Sequence, residues 1–388
     1  MGIFKNHILS MENKASISSF LSSKFKFWSF VSMVLLVFVH GYNLDIRYLQ
    51  PWSLVDEAFN FTNFTEYLLA NGLFRFRIPM LFIISGFLFA LHDATPHKQR
   101  IQKRTRTLLL PYLLWSAIGL LMVFIAELFP LSKQLILDSH IAQIDDTRHL
   151  LHDYKWHEVL VRWIIAPLPY QLWFLRVLFV YNLIYLGLRW CVLHKVAKYI
   201  FFPFAIFLWF TSFNIGLIDG EGLLFFSLGV WIQKTNFEIE KPHKLFNPLW
   251  WGILFVLLSV LKTYLAFHIG KDLTHTVFLL MSALHKLIIL SGLVACWFGL
   301  DKIVSWSMNK TWFVKASAFS FIIYALHAPL IAVIITPALS ITQAWIGSRL
   351  FTFVALPIVL VMCCILVGMA LRSAMPKTYK ILTGGRGF

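Results

Sequence analysis

Charged residues are scarce in this sequence, and acidic residues are the scarcer kind. Only 13% of the 388 residues are charged and 59% are hydrophobic. A soluble protein averages about 25% charged residues and about 45–50% apolar residues. These two departures exclude an ordinary water-soluble domain and place the chain in a lipid bilayer, with membrane lipid around it.

The basic excess does not indicate nucleic-acid binding. The chain has 34 Lys and Arg against 18 Asp and Glu, a formal net charge of +16. These bases lie mainly in short connections between apolar runs, and the most basic connection is HKQRIQKRTR at 97–106. Cytoplasmic loops of membrane proteins carry this kind of bias. We therefore expect no nucleic-acid partner.

Metal-binding and nucleotide-binding signatures are missing as well. The four cysteines lie in or beside apolar runs without CxxC spacing, and no P-loop or GxSxG motif occurs. The histidines His149, His152 and His157 have no companion HExxH pattern, so solvated loop histidines are the simpler interpretation. The sequence predicts no metal site and no bound cofactor.

Ten apolar runs alternate with polar connections. They predict an all-α fold, a polytopic membrane helix bundle of about ten transmembrane helices. The runs are residues 25–43, 78–91, 108–129, 172–188, 200–213, 222–232, 249–267, 277–300, 318–339 and 350–371.

The basic connections at 97–106 and 189–198 set the expected orientation. Both termini are expected in the cytoplasm, in a multi-pass protein of a bacterial inner or plasma membrane. The expected organisation is a cytoplasmic tail (1–23), a transmembrane domain (24–372) and a second cytoplasmic tail (373–388). Residues 131–170 form an extracytoplasmic loop within the transmembrane domain.

A few ionisable residues lie at membrane depth, where such groups are costly and often functional. His40 is 14 residues beyond Lys26 in the first run, about 21 Å along a helix. Arg75 and Arg77 open the second run, and His327 lies in the ninth. The structural alternatives are histidines hydrogen-bonded to neighbouring helices and arginines that extend toward the interface.

Several pieces of the chain occur in a distinctive order. They are FVHGYN, NGLFRFRIPMLFIISGFLF, KRTRTLLLPYLLWS, QLWFL, FFSLGVWI and FIIYALHAPL. Together they resemble the integral-membrane acyltransferase-3 family, which O-acylates sugars and polysaccharides, across residues 24–371. Each piece alone is mostly apolar, and their order and spacing carry the resemblance.

The resemblance implies helices around a cavity, with acyl-CoA (acetyl-CoA) as co-substrate and a hydroxyl of a cell-surface or lipid-linked glycan as acceptor. It also implies that His40 matches the essential first-span histidine of the family. Two positions depart from the family pattern. Ser29 stands where many members carry Arg, for which Lys24 or Lys26 is a possible substitute, and Gln171 stands where many carry His.

The chemistry of acyl transfer suits these residue types. A neutral imidazole at His40 can remove the hydroxyl proton as a general base. Arg75 is the expected stabiliser of the oxyanion. Expected substrate contacts, including coenzyme A phosphates at the three basic positions, are Arg77, Lys103, Arg104, Arg106, Trp173, Tyr324 and His327. For the three basic positions a pure topology signal is equally compatible with the pattern, and for Trp173 core packing is the simpler alternative.

Two other classes of membrane protein compete with this interpretation. A glycan polymerase, ligase or flippase-like carrier is expected to keep its essential arginines and histidines in the large outer loop, at 148–162. A secondary transporter is expected to show inverted repeats with broken helices, and we find no such repeat in the sequence.

Overall fold

The computed structural model describes residues 17–41, 49–342 and 347–387 of the chain. Helix dominates these residues. The α-helices, in chain order, are α1 (Ser19–Val39), α2 (Phe61–Tyr67), α3 (Arg77–Leu91), α4 (His97–Arg104), α5 (Leu110–Ala126), α6 (Pro130–Ser139), α7 (Trp156–Ile164), α8 (Trp173–Leu183), α9 (Tyr185–Leu193), α10 (Ala197–Thr211), α11 (Gly220–Lys234), α12 (Pro248–His268), α13 (His275–Gly299), α14 (Asp301–Met308), α15 (Thr311–Ser317), α16 (Ser320–Thr342), α17 (Ser348–Ala374) and α18 (Pro376–Leu382).

Short elements join several of these helices. The part of the chain that the structure describes contains two π-helices (Leu68–Leu73 and Thr105–Leu109) and three 3-10 turns (Leu151–Asp153, Tyr170–Leu172 and Lys244–Phe246). An antiparallel hairpin of β1 (Asn214–Ile215) and β2 (Ile218–Asp219) connects α10 to α11. It is the only sheet within the described ranges.

Among the described residues, six continuous helical stretches are long and apolar enough to cross a bilayer, and the number rises to eight if each of two bent pairs counts as one span. The six are Ser19–Val39, Phe61–Leu91, His97–Ala126, Pro248–His268, His275–Gly299 and Ser348–Ala374. The bent pairs are α8 with α9, at 68°, and the two halves of α16, at 75°. The predicted all-α polytopic membrane bundle is confirmed.

The fifth and sixth predicted spans are helices, but they are short. Helices α10 and α11 have 15 residues each, about 22 Å of helix against a hydrocarbon core of about 30 Å. Helix α11 is nevertheless deeply packed against α3. A Cβ at Gly86 would meet the Phe226 carbonyl oxygen at 2.0 Å, and one at Gly229 would meet the Ile83 carbonyl oxygen at 2.1 Å. These two glycines allow the close helix contact.

The first helix begins earlier than the apolar run predicts. The Ser18 hydroxyl accepts a hydrogen bond from the Leu21 amide at 3.0 Å, and this N-cap starts α1 at Ser19. The helix ends at Val39, and His40 is its C-cap. Residues 42 and 43 of the predicted span and residues 1–16 of the predicted tail lie outside the described residues.

Ion pairs join the helices at one end of the bundle, which we call the basic end. The Asp93 carboxylate contacts Arg100 at 2.9 Å, Lys234 at 2.5 Å and Arg189 at 3.4 Å. Burial alone would raise the pKa of Asp93, but the contacts with Lys234, Tyr185 and Arg189 outweigh it and hold the pKa below its usual value. Ion pairs at this end therefore stabilise the packing of the helices against one another.

Lys24 also lies at the basic end and is fully buried. Its ammonium contacts the Asp301 carboxylate at 2.6 Å and lies 4.6 Å from the ring centroid of Trp297. Because Lys24 and His40 lie near opposite ends of α1, the ion pair and the histidine are on opposite sides of the bundle.

The segment that follows α17 packs back onto the basic end. The Trp115 indole donates to the Leu382 carbonyl at 3.0 Å, and the Arg386 guanidinium donates to the Thr107 carbonyl at 2.8 Å. Gly384 has a φ of +60°, and a Cβ there would meet the Thr107 carbonyl oxygen at 2.5 Å. Glycine is therefore required for this close approach.

Candidate active site

His40 lies where α1 ends and is 6% exposed. Its Nδ1 is 3.0 Å from the Tyr170 hydroxyl, and the two rings meet edge to face with centroids 5.3 Å apart. The next residue, Gly41, fits tightly against α17, since a Cβ there would meet the Pro357 ring at 2.8 Å. The helix end and this contact fix the position of the imidazole.

His327 on α16 faces His40. The ring centroids are 5.8 Å apart, and the His327 side chain is fully buried. The Nδ1 of His327 is 3.0 Å from the Ile323 carbonyl and 2.9 Å from the Tyr324 carbonyl. Because carbonyl oxygens only accept hydrogen bonds, Nδ1 carries the proton and Nε2 is the acceptor nitrogen. Among the described residues this Nε2 is buried without a hydrogen-bond partner.

Arg75 and Arg77 follow the π-helix Leu68–Leu73, whose wider turns change the direction in which the following side chains point. The Arg77 guanidinium is 4% exposed and donates to the Phe74 carbonyl at 2.7 Å. The Arg75 guanidinium donates to the Leu49 carbonyl. Both charges act electrostatically on His40. The structure therefore brings four predicted site residues together: His40, Arg75, Arg77 and His327.

Tyr324 and Gln171 hold the helices around this site. The Tyr324 hydroxyl donates to the Gln171 backbone carbonyl at 2.6 Å, and the Gln171 side-chain amide donates to the Ala325 carbonyl at 2.8 Å. Tyr324 is 6.5 Å from His327 between ring centroids. At position 171, where many family members carry histidine, this chain therefore has a residue that joins the Tyr170–Leu172 turn to α16.

Trp173 is half-buried and has two kinds of neighbour. Its ring packs against Phe82 at 6.1 Å between centroids. It also lines a cavity of about 270 Å³ together with Arg176 and Asp219. Burial raises the pKa of the Asp219 carboxyl above its usual value.

Lys103, Arg104 and Arg106 lie at the basic end, on α4 and the π-helix that follows it, and not beside His40. Lys103 and Arg106 are exposed. Arg104 is half-buried, with its guanidinium 5.4 Å from the ring centroid of Phe89. Two of the three are thus accessible to a ligand, and the third packs against α3.

The sequence did not predict two further parts of the polar interior. One is Tyr170, which is exposed but contacts His40, and the other is a buried set that we call the lysine cluster. The cluster consists of Asn71, Lys262, His285 and Lys286. Two lysines inside apolar runs could have indicated this cluster, because a charged residue at membrane depth is costly in free energy and is often functional. Their hydrogen-bond partners were not visible, because Asn71 is 191 positions from Lys262 in the chain.

The residues of the predicted outer loop form their own contacts. Arg148 pairs with Asp145 and Glu158, and its hydrogen bonds hold the pKa of Asp145 well below its usual range. The His152 Nδ1 is 2.5 Å from the Glu127 carboxylate. In the described part of the chain, no three His, Cys, Asp or Glu side chains are placed to hold a metal ion.

Comparison with known proteins decides the family. The sequence model of the acyltransferase-3 family, which describes an acyltransferase domain, matches residues 23–368. The chain belongs to the acyltransferase-3 family. No curated protein and no solved structure matches it. The match contains all four residues brought together at the site, so this acyltransferase-3 protein is a membrane acyltransferase whose polar interior lies within the family domain.

Proposed function

We propose that the protein transfers an acyl group from acyl-CoA to a hydroxyl of a cell-surface or lipid-linked glycan. The acyl group that we propose is acetyl. The observation that carries the proposal is the pair of facing histidines, His40 and His327, next to two arginines. Acyl transfer to a hydroxyl needs a proton acceptor and a stabiliser of negative charge close together. The reaction requires no bound cofactor, since acyl-CoA is a co-substrate.

His40 is the general base in this proposal. Its Nδ1 can donate to the Tyr170 oxygen, which leaves Nε2 free to take the proton of the acceptor hydroxyl. The hydroxyl oxygen attacks the thioester carbonyl carbon, and the carbon–sulfur bond then breaks. The coenzyme A thiolate leaves and takes back the proton from the His40 imidazolium. Such a general-base step is worth about 10²–10⁴-fold in rate.

Arg75 stabilises the oxyanion that forms on the thioester carbonyl. Arg77 adds a second positive charge near the reacting groups. A fixed donor of this kind lowers the barrier by about 2.7–4 kcal/mol. His327 contributes an acceptor, because its Nε2 is available for a hydrogen bond from a substrate hydroxyl. Trp173 and Tyr324 complete the substrate contacts in this proposal.

The donor binds from the basic end. Lys103 and Arg106 are exposed there, and basic side chains suit the phosphates of coenzyme A. In this proposal the basic end faces the cytoplasm of a bacterial cell, in accord with the positive-inside rule.

The outer-loop contacts support this proposal over a glycan polymerase, ligase or carrier. Arg148 is paired with Glu158 of the same loop, and His152 is paired with Glu127 at the end of α5. Arg162 donates to the Gln143 carbonyl at 3.1 Å. These residues fold the loop, whereas His40, His327 and Arg77 are buried inside the bundle.

The experiment is mass spectrometry of surface glycans from cells with the gene, without it and with His40→Ala. We expect an acyl-dependent mass increase that the His40→Ala cells lack, with equal amounts of inserted protein. His92→Ala is the matched control, since His92 is exposed at the basic end. Normal acylation in His40→Ala cells would remove the central claim.

A further inference from the structure

The cavity of about 270 Å³ between α8 and the β-hairpin, which we call the hairpin cavity, has a polar lining. Trp173 and Arg176 line it from α8, and Asn214 and Asp219 line it from the hairpin. The lining thus combines an aromatic ring, a guanidinium, an amide and a carboxylate. Small-molecule sites usually have volumes of about 300–1,000 Å³. The cavity therefore has the size for one small polar ligand.

The fold places these four side chains on two facing elements. Trp173 and Arg176 are three residues apart on α8, a spacing that puts two side chains on the same face of a helix. Asn214 and Asp219 are direct partners in the antiparallel hairpin, and directly opposed residues point to the same face. The Tyr181 hydroxyl, also on α8, donates to the Asp219 backbone carbonyl at 2.6 Å and holds the hairpin against the helix.

Arg176 has at least one hydrogen-bond donor that the protein does not use. Its Nε is buried and has no hydrogen-bond partner among the described residues. No ion pair joins Arg176 to Asp219 in the described structure, although both line the cavity. A buried donor without a partner costs free energy. A ligand that accepts a hydrogen bond from Arg176 would remove this cost.

Asp219 supplies the complementary acceptor. It is the N-cap of α11, and its Oδ1 accepts a hydrogen bond from the Gly222 amide at 2.7 Å. A carboxylate has about four acceptor positions, so the cap leaves capacity for a ligand that donates. The amide of Asn214 can both donate and accept. The hairpin cavity therefore offers donors and acceptors together, which is the combination that sugar hydroxyls use.

The hairpin cavity opens on the side of the bundle opposite the basic end. Asn214 and Leu217 of its lining are exposed. Helix α11 begins at Gly220, next to the hairpin, and ends at Lys234, which pairs with Asp93 at the basic end. Its 15 residues span about 22 Å. A ligand of this cavity therefore approaches from the side remote from the basic connections.

The hairpin cavity also lies close to the reacting histidine. The Tyr170 hydroxyl is 3.0 Å from the His40 Nδ1, and Trp173 directly follows the Tyr170–Leu172 turn. Three residues of 3-10 helix advance about 6 Å. One short turn thus joins a contact of His40 to the aromatic wall of the cavity.

We propose that the hairpin cavity binds one neutral sugar ring of the acceptor glycan while a hydroxyl of that glycan reaches His40. The C–H face of the ring packs on Trp173, because an indole offers a flat apolar surface. Ring hydroxyls donate to Asp219 and accept from Arg176. Since one guanidinium and one carboxylate leave the lining without net charge, a neutral sugar is favoured over an acidic one. This inference rests on the proposed acyl transfer and adds the class of acceptor to it.

The test is binding to the purified full-length protein in a neutral detergent without sugar headgroups, in the absence of any acyl donor. The probes are the methyl pyranosides of glucose, galactose and mannose, with the methyl glycoside of glucuronic acid as the charged comparison. Saturation-transfer difference NMR is the readout. We expect saturable binding of at least one neutral pyranoside and at least tenfold weaker binding of the glucuronide. The inference is overturned if no neutral probe binds or if the glucuronide binds as tightly as the best of them.

Asp219→Asn and Arg176→Gln locate the bound sugar. Asparagine is as good an N-cap as aspartate, so Asp219→Asn removes the charge and keeps the start of α11. We expect each variant to weaken the best neutral probe about tenfold.

Asp272→Asn, at an exposed aspartate of the α12–α13 connection, is the matched control and should bind the probe as the wild type does. Thermal unfolding checks that the variants are folded, and Trp173→Ala replaces a cavity variant that is not. Unchanged binding in both cavity variants refutes the inference, because the sugar is then bound elsewhere.

His40→Ala separates this inference from the proposed function. That variant should bind the neutral pyranoside with wild-type affinity while it transfers no acyl group. If the wild type binds the pyranoside but acylates no glycan, the transferase proposal fails and the sugar site stands. If the wild type acylates a glycan and Arg176→Gln leaves the KM for that glycan unchanged, the sugar site is refuted and the transferase proposal stands.

Discussion

The basic end of the bundle and its interior hold their charges in different ways. At the basic end, Asp93 gathers Arg100, Arg189 and Lys234, and Lys24 is paired with Asp301. In the interior, the Arg77 guanidinium donates to the Phe74 carbonyl and the Lys262 ammonium donates to the Asn71 carbonyl. A charge paired with an opposite charge joins helices and has no part in the reaction. A charged side chain inside the bundle that is held by neutral groups costs free energy, which points to a ligand or a reaction.

The largest effect on this contrast is expected at Arg75. Arg75→Gln removes the interior charge that stabilises the oxyanion while it keeps a polar side chain. We expect a loss of about 10²–10³-fold in kcat, as for other oxyanion donors. The measurement is acyl transfer by purified protein, normalised to folded protein.

Arg189→Gln is the matched control, because Arg189 is only the most distant partner of Asp93 at the basic end. The contrast between the basic end and the interior is broken if both variants lose the same activity. An Arg75→Gln enzyme with normal kcat would show that the oxyanion is stabilised elsewhere.

Lys103 and Arg106 differ from the other charges of the basic end that are described above. They are exposed and have no carboxylate partner in the described structure. If they hold coenzyme A phosphates, the double variant Lys103→Gln/Arg106→Gln should raise KM for acyl-CoA at least tenfold with kcat little changed. Each lost charged contact accounts for about 1.5–3 kcal/mol.

The assay is a donor concentration series on correctly inserted protein. Lys195→Gln, at an exposed lysine of the other basic connection, is the control. A KM within about twofold of wild type, less than half a kcal/mol, would return both residues to a role in topology alone.

A smaller effect is expected at Tyr170, whose hydroxyl positions His40 without contacting the reacting atoms. Tyr170→Phe keeps the ring and removes one hydrogen bond, worth about 0.5–1.5 kcal/mol. We expect kcat to fall roughly 2–10-fold and the acidic limb of the pH–rate profile to move, because the imidazole loses a partner. A change in stability with an unmoved pH profile would mean that Tyr170 is only a packing residue.

The smallest effect on activity is expected at Asp93. Asp93→Asn leaves three cations without their shared carboxylate, so we expect about 1–3 kcal/mol less stability at pH 7 but activity within about twofold per folded molecule. The pKa of Asp93 is lowered in the folded state. Its contribution is therefore present above the unfolded pKa of about 3.9 and is lost as the pH falls through the folded pKa.

Thermal unfolding in detergent across a pH series tests this prediction. The difference between the wild type and Asp93→Asn should shrink below about pH 4. A difference that is constant with pH, or a variant that is inactive when folded, would contradict the structural role of the basic end.

The sequence predicted the bundle and pointed to the residues of the candidate site for a clear reason. Long apolar runs determine helices in a bilayer, and His40, Arg75, Arg77 and His327 interrupt such runs visibly. Spatial neighbours are a different matter. Tyr170 lies 130 positions from His40, and nothing in a local pattern predicts that pair.

The lysine cluster shows the other limit. Lys262 and Lys286 each sit among apolar residues, and a hydropathy average over a whole helix conceals single charges. Helices α10 and α11 were predicted to span the membrane, yet neither is among the six long apolar stretches, since apolar composition alone does not distinguish a full span from a 15-residue helix packed between other helices.

The segment around Gly384 and Arg386 has a consequence for synthesis of the protein. Its contact with the Thr107 carbonyl joins residues 279 positions apart. The ribosome has therefore released nearly all of the described chain before this face of the bundle closes. A nascent chain stopped before Leu382 leaves the Trp115 indole and the Thr107 carbonyl open. Such a chain lacks the two hydrogen bonds that close this face of the bundle.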